Sequence, residues 1–128
     1  MRLFTPLVLD HWRRPRNYRR LAAPDAAHEA VSTVCGDRIR LELGIQGGRV
    51  AEAAFRGDGC ALAIAAASML TELLPGRTLA DAAMLPDEAL LSAFDAALPV
   101  DRRPCVLLPL VALRAALATR ATDRRAGP

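Results

Sequence analysis

Four residues carry most of the chemical potential of this chain: Cys35, Asp37, Cys60 and Cys105. Three thiolates and one carboxylate make a tetrahedral donor set for zinc or for the iron of an iron-sulfur cluster, because soft sulfur selects these metals and a carboxylate oxygen completes the fourth corner. Cys35 and Asp37 flank Gly36, a spacing at which a glycine-loosened turn lets both side chains point the same way. Each cysteine falls where a regular element should end or begin, so all three could project toward one end of a sheet. The competing reading is a pair of core cysteines and a turn aspartate. Spacing this loose is no CxxC knuckle, and the residues alone leave both readings open.

The elements that must position these groups are legible in outline. Gly57-Asp58-Gly59-Cys60 turns the chain sharply into its most apolar stretch, where 12 of the 15 residues from Cys60 to Leu74 are apolar and Pro75-Gly76 stops the run. Fifteen residues are too few to span a bilayer, so this reads as a buried central helix with Cys60 as its first residue. The unpaired N-H groups and the dipole at a helix N-terminus favour a thiolate there.

Ahead of it, Leu3 to Trp12 has one apolar stripe, stopped by Arg14-Pro15-Arg16-Asn17, and a loop runs through Ala27. His28 is expected in that loop region and solvated, and His11 is expected to hold the first helix against the loop that follows it. Ala30 to Val34 is β-prone. Ile39, Leu41, Leu43 and Ile45 then alternate with Arg38, Arg40, Glu42 and Gly44, Gln46-Gly47-Gly48-Arg49 makes a hairpin turn, and Val50 to Phe55 returns. The result is a small antiparallel sheet with one wet face.

After the central helix, Thr78 caps a short helix through Met84, and Pro86 lies just inside another that ends near Leu98-Pro99. Val100 to Pro104 forms a tight loop and Val106 to Ala118 the last helix, with an irregular first turn because Pro109 cannot donate to the carbonyl of Cys105. The predicted fold class is α+β: a three-stranded antiparallel sheet packed against about five helices, with a metal site at one end of the sheet. Residues 1–118 form a single domain and 119–128 a basic, frayed tail.

Composition narrows the function classes. The formal net charge of +3 divides into six Arg and one Asp over residues 1–20, five Arg and twelve acids over 21–101, and six Arg and one Asp over 102–128. An acidic body with basic ends and only 4% aromatic residues argues against a nucleic-acid module. No stretch suits a membrane span. Three cysteines are an odd count, and with no signal-peptide pattern they point to the reducing cytoplasm rather than to a disulfide framework.

Four motifs carry a resemblance to a known family. Asp10-His11-Trp12-Arg13-Arg14-Pro15-Arg16-Asn17 resembles the opening signature of the IscU/SufU/NifU iron-sulfur cluster assembly scaffolds. Cys35-Gly36-Asp37 resembles their first-ligand motif, and Phe55-Arg56-Gly57-Asp58-Gly59-Cys60 with Ala67-Ser68-Met69-Leu70 resembles their second, in its SufU version. Cys105 stands where the third cysteine stands. The likeness runs from about residue 3 to residue 118. It implies a scaffold that takes sulfur from a cysteine desulfurase, holds a labile [2Fe-2S] cluster or Zn on Cys35, Asp37, Cys60 and Cys105, and passes the cluster to recipient apo-iron-sulfur proteins.

The departures from the family pattern are specific. Pro104 stands where IscU-type chains place a histidine, which leaves Asp37 as the fourth ligand, a SufU-like trait. SufU-type chains carry an insertion between the second and third cysteines, and the 45-residue offset from Cys60 to Cys105 lacks it. The chaperone-docking motif is reduced to Leu98-Pro99-Val100-Asp101-Arg102, which does not support docking to a dedicated Hsp70. The second reading is a Zn-dependent sulfurtransferase, in which Cys105, on a mobile loop, accepts persulfide sulfur. Arg102 and Arg103 would then favour its thiolate and steer an acidic partner. A purely structural zinc domain ranks below both, since a fourth cysteine would hold better than an aspartate.

Overall fold

The computed structural model describes residues 5–94 and 98–126. Its order is α1 (Pro6–Arg13), β1 (Ala26–Val31), β2 (Arg38–Gln46), β3 (Arg49–Asp58), α2 (Ala61–Leu73), α3 (Leu79–Ala83), α4 (Glu88–Leu91), a 3-10 turn (Val100–Arg102) and α5 (Arg103–Ala126). The strands form one antiparallel meander in the order β1-β2-β3, as the α+β reading predicts. Gly47 and Gly48 close the β2–β3 hairpin with φ of 59° and 73°, which side-chain-bearing residues rarely adopt. Leu3 of the first helical stripe lies outside the described residues, and the helix expected from Pro86 to near Leu98-Pro99 is the single turn α4, which begins after Pro86 and stops at Leu91.

The core forms where the alternation of β2 meets two helices. Ile39, Leu41 and Leu43 of β2 and Phe55 of β3 are fully buried with Leu62 and Leu70 of α2 and Leu110 and Leu113 of α5. Helix α2 is covered on nearly every side, by α1, α5 and β3, and its alanines let those neighbours approach closely. Its burial is what a segment without a polar face requires. Among the described residues no helix is long and apolar enough to cross a membrane.

Four further expectations change. β1 begins at Ala26 and ends at Val31, so His28 is a half-buried strand residue and Ser32 to Cys35 is loop; alanine is a poor strand former, and pairing with β2 outweighs that local preference. The second change concerns the wet face of the sheet. Glu42, on that face, is 1% exposed, because the chain after α1 folds over it: Arg20 and Arg40 pair with its carboxylate at 3.0 and 2.8 Å and the Leu21 amide donates to it at 2.7 Å. Burial pushes the Glu42 carboxyl up, but the Arg40 hydrogen bond, the Leu21 amide and the Arg20 charge outweigh it and leave it below its ordinary value.

α5 supplies the other two corrections. It starts at Arg103 rather than Val106, since Pro104 fits a first turn where its missing N-H costs nothing, and the 3-10 turn replaces the expected loop. The helix then runs unbroken through Pro109 and past Ala118 to Ala126. Burial of Val106, Leu110 and Leu113 against α2 and the sheet outweighs the one hydrogen bond that Pro109 removes.

Candidate metal centre

Three junctions meet at one end of the sheet. The β1–β2 loop is pinned by two backbone bonds, the Ser32 amide to the Asp37 carbonyl and the Gly36 amide to the Ser32 carbonyl, each 2.8 Å. Gly36 takes φ of 71°, and the Cys35 amide donates to Ser32 Oγ at 3.3 Å. This loop carries Cys35 and Asp37. The β3–α2 junction brings Cys60, and the first turn of α5 brings Cys105. Gly57 makes the second junction possible: a Cβ there would collide with the Arg38 carbonyl and stand 3.1 Å from Ile39, so only glycine lets β3 run this close to β2.

The side chains converge. Cys35 Sγ and Cys105 Sγ are 2.8 Å apart, both as free thiols. Cys60 Sγ donates to Asp37 Oδ2 at 3.3 Å. Donor atoms of Cys35, Asp37 and Cys105 all lie within 4.8 Å of one another, and Cys60 joins that group through Asp37. All four sequence-predicted residues are therefore brought together. Cys35 and Cys60 are half-buried and Cys105 is buried.

Burial above all, and then the neighbouring Cys35 and Cys60, push the Cys105 thiol far above its ordinary value, so the metal-free site holds it neutral. This reverses the expectation that Arg102 and Arg103 favour its thiolate. It also corrects the placing of Cys105 on a mobile loop, since the residue sits inside a helix.

Cys60 precedes α2 as its N-cap rather than opening it, and its own side chain makes no capping bond. Asp37 braces the same end from another segment, accepting the amide of Cys60 itself on Oδ1 at 2.9 Å, the bond that the acidic member of a capping box makes to an N-cap residue. Sequence reasoning missed this role. An aspartate two residues from a cysteine signalled a ligand, but nothing local signalled a cap for a helix more than twenty residues away.

The residues from Asp10 to Asn17 form a clip between α1 and α2. Asp10 pairs with Arg16 at 2.5 Å, the Arg16 amide donates to Ser68 Oγ at 2.8 Å, and Asn17 Nδ2 donates to Thr71 Oγ1 at 3.0 Å. His11 Nδ1 meets the same Ser68 Oγ at 2.7 Å and Nε2 lies 3.5 Å from Glu72 Oε1. With the ring proton on Nε2, which faces the Glu72 carboxylate, the Ser68 hydroxyl donates to Nδ1 while accepting from the Arg16 amide. Burial and Arg16 hold His11 below its ordinary value. Its role is structural, as expected, although the partner is α2 and not the following loop.

The donor set suits a thiophilic cation. A bound metal would reverse the penalty on the buried Cys105 thiolate, and three sulfurs with one oxygen match the preference of zinc and of iron in clusters. A thiol-and-carboxylate centre at one end of a three-stranded α+β sheet thus defines the class. Residues 3–125 match the model of the NifU-like N terminal domain, and the chain belongs to that family.

The chain is similar to the iron-sulfur cluster assembly scaffold protein IscU of Azotobacter vinelandii, with 35% identity over 118 residues that cover 89% of this chain and 91% of that one. It is also similar to the zinc-dependent sulfurtransferase SufU of Bacillus subtilis (strain 168), with 35% identity over 75 residues, 59% of this chain and 50% of the relative. The crystal structure of the N-terminal part of a nitrogen-fixing NifU-like protein from Brucella abortus superposes with a TM-score of 0.76 over 94% of this chain and 96% of that one; at 22% identity this is a likeness of fold.

Proposed function

We propose that this chain is an iron-sulfur cluster assembly scaffold that receives sulfur from a cysteine desulfurase, builds a labile [2Fe-2S] cluster on Cys35, Asp37, Cys60 and Cys105, and passes it to apo-proteins. The observation that carries this reading is the convergence of donor atoms from Cys35, Asp37 and Cys105 within 4.8 Å, with Cys60 attached through Asp37, in a member of a scaffold family. Asp37 divides its carboxylate between two tasks. Oδ1 holds the Cys60 amide, and Oδ2, which accepts a hydrogen bond from the Cys60 thiol, is free to ligate a metal once that thiol is ionised. An oxygen is a harder and more weakly held ligand for iron than a thiolate, so this corner can open to a recipient's thiolate without loss of an Fe-S bond.

The test is delivery. Asp37→Ala should retain the cluster on three thiolates but pass it more slowly to an apo-ferredoxin. It should stay folded by circular dichroism, at a cost of about 0.5–2 kcal/mol for the lost cap. Transfer at the parent's rate would mean that Asp37 is a cap and not a ligand.

The second reading, a Zn-dependent sulfurtransferase, draws on the likeness to SufU and on Pro104, which stands where a histidine ligand would. On that reading the acceptor is better placed at Cys35 than at Cys105. Cys35 is half-buried on a turn beside the exposed Val34, whereas Cys105 is buried and neutral.

A further inference from the structure

We propose that Gly59 is a positioning residue for the site: its missing side chain is the space that Asp37 occupies, and any larger residue there would drive the carboxylate off the centre. This rests on the reading of Asp37 as a ligand. Gly59 is not among the glycines with positive φ, so its backbone conformation is open to any residue and does not explain the glycine. Space does. A Cβ at position 59 would stand 2.9 Å from Asp37 Oδ1, closer than such atoms pack, and 3.0 Å from its Cγ and 3.1 Å from its Cβ, both tighter than ordinary contact. The oxygen most crowded is Oδ1, which accepts the Cys60 amide at 2.9 Å. Asp37 is 2% exposed, with little room to retreat. An alanine at 59 therefore turns the carboxylate away, breaks its hold on Cys60 and moves Oδ2 from the three sulfurs. Gly57 and Gly59 serve different ends: the first lets two strands approach, the second admits a ligand.

The test is a cycle of four proteins: the parent, Gly59→Ala, Asp37→Ala and the double variant, each titrated with zinc alone against a chelator of known affinity. Removing a group that orients a ligand typically lowers metal affinity roughly 10- to 100-fold, and that is the loss expected for Gly59→Ala. Asp37→Ala should lose at least as much, and the double variant no more than Asp37→Ala, because the oxygen and Cγ that the new methyl crowds are then gone and the one atom it still meets, the Cβ of residue 37 at 3.1 Å, binds no metal. The visible spectrum of the cobalt-loaded Gly59→Ala protein should match that of Asp37→Ala rather than the parent. Should Gly59→Ala fail to fold, recovery of folding in the double variant supports the proposal, and its failure there overturns it. Parent-like affinity in Gly59→Ala overturns the proposal while leaving the ligand assignment standing, as does a further loss in the double variant. Parent-like affinity in Asp37→Ala overturns both.

Discussion

Replacing Cys35, Cys60 or Cys105 by serine, one at a time, is expected to reduce metal content to a small fraction of the parent's. A serine hydroxyl stays protonated near neutral pH and is a hard donor, so each substitution removes a charge and a soft ligand together. Disturbing a group that merely orients a ligand already costs roughly 10- to 100-fold in affinity, and loss of the ligand itself exceeds that. The three sites are not equivalent in what else they disturb. Cys35→Ser acts on a turn, and Cys60→Ser leaves the N-terminus of α2 still held by Asp37. Cys105→Ser puts a hydroxyl in the core beside Cys35, 2.8 Å from its sulfur in the parent, where it finds a partner. Circular dichroism should therefore show a folded chain in every case. Stoichiometric metal in any one of the three would contradict a single site built from all of them.

Metal should also stabilise the fold, and removing it should lower the melting temperature. The proposed ligands lie on the β1–β2 loop, at the start of α2 and in the first turn of α5, segments that an unfolded chain holds far apart. Binding to the native state alone contributes about 2.7 kcal/mol when free metal stands 100-fold above its Kd. For a domain of this size that corresponds to a shift on the order of 10 °C. Binding also ionises Cys105, whose thiolate the metal-free core excludes, so the gain should grow as pH rises and less proton release is needed. Thermal melts with and without a chelator measure this directly. A melting temperature untouched by chelation would place the metal at the periphery of the fold.

What could be read from residue order follows from how local the signal is. α2 was legible because a run without a polar face has only one place to go, and the β2–β3 hairpin because strict alternation flanks two glycines. The start of β1 is not legible, since Ala26, Ala27 and His28 carry no strand preference of their own and take their conformation from β2. Glu42 reads as a solvated residue until Arg20 and Leu21 close over it. The four converging site residues are legible in the sequence, although the residues alone leave a core-cysteine reading open and the family likeness favours the ligand one. The second task of Asp37 and the need for Gly59 were not legible, because each depends on a contact between segments that only the folded chain brings together. The same holds for the clip from Asp10 to Asn17, whose partners Ser68 and Thr71 lie more than fifty residues on.

The scaffold account is tested most directly by iron and acid-labile sulfide content after anaerobic incubation of the zinc-free protein with ferrous iron, cysteine, a cysteine desulfurase and a dithiol that supplies the electrons taking persulfide sulfur to sulfide. The account predicts iron and sulfide in equal amounts on the parent chain and neither on the cysteine variants. Iron without sulfide, or a chain that takes up zinc and never holds sulfide, would contradict it.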